Sequence, residues 1–277
     1  MNSAKQQNNL LKAILSILIC CFGLITLLPT IWMVIVAVKP YETNASDLQE
    51  LFQVPFTFEN FVKITSTSKI WRWIFNSFFI SCIQTAVGIF LASLAAFGLS
   101  VIDFKGKKLA YFLILAGLMI PVEALIMPAY SLMIDLGWIN TYKGLIIPGL
   151  AIPLAVIIFK QFYDGIPRDL IEASNIDGAN ILWVWWRIFL PLSRNTTATI
   201  SIFLFIQSWN NFLWPMLVGT ESDLMTLTVA LPVFQSTFST DMTMPMTANL
   251  FASLPAILVF LIFQKQIEKG IAMTGIK

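Results

Sequence analysis

Long uncharged runs are the feature that most constrains how this chain folds. Neither Ala13–Val38 nor Ile74–Leu99 contains an Asp, Glu, Lys or Arg. About 20 apolar residues in a helix cross a bilayer core, and lipid offers the backbone no outside hydrogen-bond partners. Charged residues make up 12% of the whole chain, against about 25% in soluble domains. The chain is therefore predicted to be an all-α integral membrane protein.

Six apolar runs follow one another along the chain. The first is too long for a signal-peptide core and no small-residue cleavage site follows it, so we interpret it as a retained span. Pro148 and Pro153 predict an irregular helix in the fourth run. The predicted spans, first to sixth, are Ala13–Val38, Ile74–Leu99, Leu109–Met127, Gly144–Phe159, Ala198–Gly219 and Met246–Phe263.

The second span carries small and polar residues at helical spacing. They are Ser77, Ser81, Gln84 or Thr85, and Gly88. Such residues either let another helix approach closely or line a pore, and close packing is the favoured interpretation.

The distribution of Lys and Arg predicts the orientation of the chain. With the N-terminus inside, twelve of the 17 Lys and Arg residues lie on the inner side and five on the outer side. Because cytoplasmic loops are enriched in these residues, we expect both termini and the loop Arg168–Pro191 to be cytoplasmic. The polar segments 39–69, 128–143 and 220–245 are then external loops.

The loop Arg168–Pro191 is polar yet regular enough to fold. Asp169 and Glu172 place negative charge where a helix dipole favours it, and Gly178 can adopt the left-handed conformation that ends a helix. The run Ile181–Leu190 is too short to cross a bilayer, and Pro191 is expected to end it. We predict a helix, a bend and a second helix, offered to a partner protein.

The same loop resembles the EAA loop of bacterial ABC importer permeases, E-A-A, three residues, Gly, nine residues, I-x-L-P. The residues on pattern positions are Glu172, Ala173, Gly178, Ile188, Leu190 and Pro191, with Ser174 in place of the second Ala. The resemblance implies that these residues and Asp177 dock the loop against an ATPase. An interfacial amphipathic helix is the alternative, since Trp183, Trp185, Trp186 and Arg187 would suit the headgroup layer.

Further segments resemble the maltose-type branch of carbohydrate importer permeases. They are L-G-W-I-N-T-Y (136–142), W-N-N-F-L-W-P (209–215), L-T-V-A-L-P-V-F-Q (227–235) and F-Q-K-Q-I-E-K-G (263–270). The family implies the type I ABC importer transmembrane fold and a di- or oligosaccharide substrate. It also implies a second permease subunit, two ATPase subunits that hold ATP and Mg, and an external solute-binding protein. The transmembrane domain is expected at 71–264, between a segment 1–70 with the first span and a cytoplasmic tail at 265–277.

The fifth span carries the candidate substrate path. Gln207 lies roughly 13.5 Å into this span, near the middle of the bilayer. On a continuous helix Gln207, Asn210, Asn211 and Trp214 share one face, and Trp209 adjoins them. Amides beside aromatic rings suit a sugar, and amides bonded to neighbouring helices are the alternative.

Glu123 lies roughly 21 Å into the third span, where Pro121 and Pro128 are expected to break the helix. A structural role at the helix end and a place on the substrate path are equally supported, because acids inside membranes are often functional.

The sequence argues against several other classes of function. It has no His, and its three Cys lie within apolar runs, so disulfides, zinc sites and cofactors of its own are not expected. The one G-K pair, Gly106-Lys107, lacks the glycine of a phosphate-binding loop. No nucleic-acid partner is expected. A permease for a polyol or glycerol phosphate, an intramembrane hydrolase and a passive channel are the alternative functions.

Overall fold

The computed structural model describes residues 2–41, 43, 47–237 and 241–274, and regular secondary structure within these residues is entirely helical. The first helices are α1 (Asn2–Ala37), α2 (Leu48–Gln53), α3 (Glu59–Thr67), α4 (Ile70–Val101), α5 (Lys107–Met119), α6 (Val122–Asp135) and α7 (Tyr142–Ile146). The remaining helices are α8 (Pro153–Asp164), α9 (Asp169–Ile176), α10 (Ile181–Val184), α11 (Leu190–Leu192), α12 (Arg194–Trp209), α13 (Leu213–Val218), α14 (Leu227–Thr237) and α15 (Thr243–Thr274). A 3₁₀ segment (Ile147–Leu150) follows α7, and a π-helical segment (Trp185–Phe189) follows α10.

Four helical segments of the described chain are long and apolar enough to cross a membrane by themselves. They are Ile14–Ala37, Ile70–Val101, Tyr142–Asp164 and Thr243–Gln264. Two further helix pairs meet the same test only together, because they are bent by 100° (Lys107–Met119 with Val122–Asp135) and 79° (Ile181–Leu192 with Arg194–Trp209). The all-α membrane fold is confirmed, and the described chain has six spans if each bent pair is one span.

The third span differs from its prediction. Its helix α5 ends at Met119 instead of continuing to Met127, because Pro121 has no N–H and disfavours helical backbone at the preceding residue, Ile120. The chain turns and forms α6, which occupies Pro128–Asp135, a stretch predicted to be external loop. Pro128 lies inside α6 and does not end it.

The fifth span is also not the continuous helix that we predicted. Helix α12 ends at Trp209, and helical structure resumes at Leu213 as α13. Pro215 explains the break, since in a continuous helix its missing N–H would leave the Asn211 carbonyl unbonded. That carbonyl instead accepts a hydrogen bond of 2.9 Å from the Thr228 hydroxyl.

The fourth span is irregular, as predicted. Pro148 lies in the 3₁₀ segment, and Pro153 occupies the first position of α8. At that position a backbone N–H would have no partner within the helix, so proline is tolerated there. The chain between these two helical pieces is extended at Ala151.

The chain divides into two compact units. One comprises 1–68 and 231–253, where Val36 and Leu51 are fully buried. The other comprises 69–230 and 254–277, where α4 packs against α8 and α12. The small and polar face of α4 is buried inside this second unit, which confirms the packing interpretation for its residues Ser77, Ser81, Gln84 and Gly88.

Candidate coupling loop and translocation path

The loop between α8 and α12 has the predicted helix-bend-helix structure. Its first helix, α9, ends in a left-handed turn at Gly178, with φ of +72°. The Ala179 N–H donates to the Ser174 carbonyl at 2.9 Å, and the Gly178 N–H donates to the Asn175 carbonyl at 3.1 Å. These two bonds are the Schellman motif that closes many helices. Any residue with a Cβ would be strained at this position.

The second arm of the loop begins with a side-chain cap. The Asn180 side-chain oxygen accepts from the Leu182 N–H at 3.1 Å, as residues at helix starts commonly do. The arm continues to Leu192, one residue beyond Pro191, which had been predicted to end it. The π-helical turn accommodates this, since the Leu190 N–H bonds to the Trp185 carbonyl five residues earlier.

The two arms differ in what they expose. Glu172, Ala173, Asp177 and Gly178 are exposed on the α9 side. Ser174 is only 6% exposed, and its hydroxyl donates to the Ile171 carbonyl at 2.7 Å, so this residue faces the protein.

Ile176 is a residue of the loop that sequence reasoning missed. Its side chain is 87% exposed, more than any other large apolar side chain of the described chain. An apolar residue two positions before the helix-ending glycine was the available signal. Ile176 therefore belongs to the same exposed surface of α9 as Glu172 and Ala173.

The second arm anchors the loop to the spans. Phe189 is buried and meets Phe97 of α4 and Tyr163 of α8 edge to face, with ring centroids 4.9 and 5.2 Å apart. Ile188 and Leu190 are partly buried against the same core. Ile188 and Leu190 therefore pack inward, whereas Glu172, Ala173 and Gly178 on the other arm are exposed.

The loop lies at the C-terminal end of α4, and a second folded loop lies at its N-terminal end. There Lys69 pairs with Asp223 at 2.8 Å, and the Asn76 amide donates to the Asp223 and Met225 carbonyls at 2.9 Å each. The hydrogen bond and charge of Lys69 hold the pKa of Asp223 below its usual value. Because α4 is about 48 Å long by its helical rise, the two loops lie on opposite sides of a membrane.

Gln84 of α4 holds the broken fourth span in place. Its side-chain nitrogen donates to the Leu145 and Ile146 carbonyls at 3.0 and 3.3 Å, and its oxygen accepts from the Ser208 hydroxyl at 2.6 Å. A Cβ on Gly149 would clash with the Gln84 side-chain nitrogen, so glycine at this position leaves room for the amide. The sequence placed Gln84 on a buried face without revealing these partners.

Trp214 also helps to hold the broken fourth span in place. Pro148 cannot donate to the Gly144 carbonyl as the helical pattern requires, and the Trp214 ring nitrogen donates to it instead, at 3.0 Å. This hydrogen bond is of the kind that the packing alternative expected, and the place of Trp214 on the substrate path stays a prediction.

The other candidate path residues lie around the end of α12 at Trp209. Gln207 and Asn210 are exposed, and Asn211 is partly buried. Trp209 is 2% exposed and stacks on Phe205 at 6.0 Å, so it packs inside the protein. A common face for all four of Gln207, Asn210, Asn211 and Trp214 requires a continuous helix, which the structure does not have, and their place on the substrate path stays a prediction.

Glu123 lies in the first turn of α6, after the 100° bend, with its side chain exposed. An acid at a helix start is favoured by the dipole. The bend also moves Glu123 off the axis of the third span.

A helical membrane core that carries such a loop defines a permease subunit. The chain belongs to the family of binding-protein-dependent transport system inner membrane components, whose model matches residues 84–273. It is therefore a multi-pass inner-membrane permease of an ABC importer, and the resemblance seen in the sequence is confirmed.

Several characterised relatives are similar over most of their length. The arabinooligosaccharides transport system permease protein AraQ of Bacillus subtilis is 33% identical over 222 residues, 80% of this chain and 79% of AraQ. The lactose transport system permease protein LacG of Rhizobium radiobacter is 29% identical over 89% of each chain. The sn-glycerol-3-phosphate transport system permease protein UgpE of Brucella abortus is 34% identical over 73% of each.

A solved structure has the same fold. A chain of a bacterial ABC transporter involved in the import of the acidic polysaccharide alginate matches with a TM-score of 0.82 at 22% identity. The match covers 94% of this chain and 97% of that chain.

Proposed function

We propose that this chain forms half of the translocation path of an ATP-driven importer for a di- or oligosaccharide. The observation that carries the proposal is the loop Arg168–Pro191, whose closed left-handed turn at Gly178 leaves the acidic face of α9 exposed. No atom within 4 Å would meet a Cβ at Gly178, so the space above the turn is open to a partner.

The mechanism follows from how the loop is anchored. Two ATPase subunits bind ATP and Mg, and one of them receives α9 in a cleft. When they close, the push on α9 passes through Phe189 to Phe97 and Tyr163, and so to α4 and α8. The movement of these two spans switches the cavity between its outward-open and inward-open states. A second permease subunit supplies the other wall.

The external partner is a solute-binding protein. A solved relative of this fold was crystallised in complex with an alginate pentasaccharide-bound periplasmic protein. The folded loop around Asp223 supplies a surface on the side opposite the coupling loop. The bias of Lys and Arg supports cytoplasmic termini.

The chemistry of the fifth span favours a sugar over glycerol phosphate. The exposed polar side chains between Ala198 and Gly219 are the neutral amides of Gln207 and Asn210, which suit hydroxyl groups. A phosphate favours Arg or Lys as its partner, and residues 195–219 include neither. The relatives AraQ and LacG, named for arabinooligosaccharides and lactose, support the same choice.

Uptake measurements test the proposal. Cells with and without this chain are supplied with labelled monosaccharides, disaccharides, oligosaccharides and glycerol phosphate. We expect a di- or oligosaccharide to be taken up only when the chain is present. Uptake of glycerol phosphate alone would instead support the alternative function, a glycerol phosphate permease, which the relative UgpE favours.

A further inference from the structure

A groove of about 700 Å³ lies between α4 and the arm that leads into α12. Its walls are mainly apolar, with Ala86, Ile89 and Phe90 of α4 on one side and Trp185 and Leu190 on the other. Neither the coupling mechanism nor the sugar path described above uses this space.

The groove has two arginines in its lining, Arg187 and Arg194. Both are exposed, and within the described residues neither forms an ion pair with a carboxylate. Helix α12 begins at Arg194, and no side chain caps its first turn. The unbonded N–H groups of that turn add positive potential beside the two guanidinium groups.

The position of the groove relative to the bilayer follows from its aromatic neighbours. Trp183 and Trp186 are half exposed on the same arm, and tryptophans of membrane proteins concentrate at the headgroup level. Phe90 lies further along α4, toward the middle of the span, and is 47% exposed. Positive charge therefore lies near the headgroups and apolar wall near the acyl chains.

We propose that this groove binds an anionic phospholipid of the leaflet on the coupling-loop side. The phosphate lies between Arg187 and Arg194, and an acyl chain lies against Ile89 and Phe90. Basic pockets between spans are known to hold such headgroups. A helix of a partner subunit would match the apolar wall, but it would leave Arg187 and Arg194 without an anionic partner unless it carried an acid beside them. A free phosphate would leave the apolar walls unused.

The test uses the whole transporter with its partner subunits, purified and reconstituted in phosphatidylcholine nanodiscs with or without phosphatidylglycerol. Native mass spectrometry then measures the phosphatidylglycerol that stays bound. We expect R187Q/R194Q to weaken its binding about tenfold or more, since each basic residue near an anionic surface contributes to affinity. Ala86→Phe narrows the groove without changing its charge and should also reduce retention.

Two exposed lysines just after the C-terminal end of α4 give the control, K105Q/K108Q, which removes equal charge outside the groove lining. The proposal would be overturned if R187Q/R194Q retained as much phosphatidylglycerol as the wild type. It would also be overturned if K105Q/K108Q lost as much phosphatidylglycerol as R187Q/R194Q. Photocrosslinking from Phe90 to the partner permease would also overturn it, because a protein would then fill the groove. Lipid retention is measured without sugar, so its outcome is independent of the proposed substrate.

Discussion

The replacement Gln84→Leu tests how the broken fourth span is held. The change keeps the size of the side chain near that of glutamine but removes both hydrogen-bonding groups. The Leu145 and Ile146 carbonyls lose their side-chain donor, and the Ser208 hydroxyl loses its acceptor at 2.6 Å. Gln84, Leu145 and Ile146 are buried among the helices, so water does not readily replace the lost partners.

The size of the effect follows from these three bonds. Each bond contributes about 1 kcal/mol net, and a buried group left without a partner costs about 1 to 3 kcal/mol. Bonds between membrane helices average about 0.6 kcal/mol in double-mutant cycles. The hydrogen bond from Gln84 to the Ile146 carbonyl is long, at 3.3 Å, and contributes less to the free energy of unfolding. We expect Gln84→Leu to lower the free energy of unfolding by about 2 to 4 kcal/mol.

A double-mutant cycle isolates the bond between Gln84 and Ser208. Unfolding of the reconstituted transporter is measured for Gln84→Leu, Ser208→Ala and the double variant. We expect a coupling energy of about 1 kcal/mol. Sugar uptake should fall in parallel, because Ser208 lies at the end of α12, next to the exposed Gln207 and Asn210.

The neighbouring residue Thr85 gives a matched control. Its hydroxyl is buried without a hydrogen-bond partner among the described residues, so Thr85→Val should be neutral or stabilising. The reasoning is refuted if Gln84→Leu costs no more than Thr85→Val, or if the cycle returns zero coupling.

Three further predictions concern coupling, the path and the orientation. Asn is among the side chains that strain the left-handed turn least, but it adds bulk above the turn, so Gly178→Asn should insert normally and lose sugar-stimulated ATP hydrolysis, as should Glu172→Lys; normal coupling in both would exclude docking of α9. Asn210→Leu changes an exposed side chain and should reduce sugar uptake with the ATPase still bound, whereas unchanged uptake and preference would support the packing alternative. Asp177→Cys and Glu221→Cys each place a single cysteine at an exposed position in a chain without its native cysteines. The two should react with impermeant reagents from opposite sides of the membrane, so that in intact cells only Glu221→Cys is labelled. Labelling of Asp177→Cys in intact cells would show the opposite orientation.

Local sequence signals were enough to predict the helix-bend-helix structure of the coupling loop. Gly178 ends α9 because only a residue without a Cβ adopts its φ of +72° freely. Asn180 caps the next helix through a bond to a residue two positions away. Both effects act within a few residues, so the spacing of the pattern residues was enough to predict the helix, the bend and the second helix.

The substrate path could not be predicted in the same way. Gln207, Asn210, Asn211 and Trp214 share a face only if α12 continues past Trp209, and it does not. Sequence periodicity assumes a continuous helix, and the assumption failed where Pro215 removed a backbone donor.

The sequence by itself determined that the chain is an all-α membrane protein with a docking loop, because run length, charge and turn residues are local properties. Only the tertiary structure decided where the spans break. Each proline frees a carbonyl, and a break persists in lipid when a distant side chain bonds that carbonyl. Trp214 does so for Gly144, and Thr228 does so for Asn211. These partners lie 70 and 17 residues away in the chain, and no local pattern reveals such a distance because only the packed fold brings the groups together.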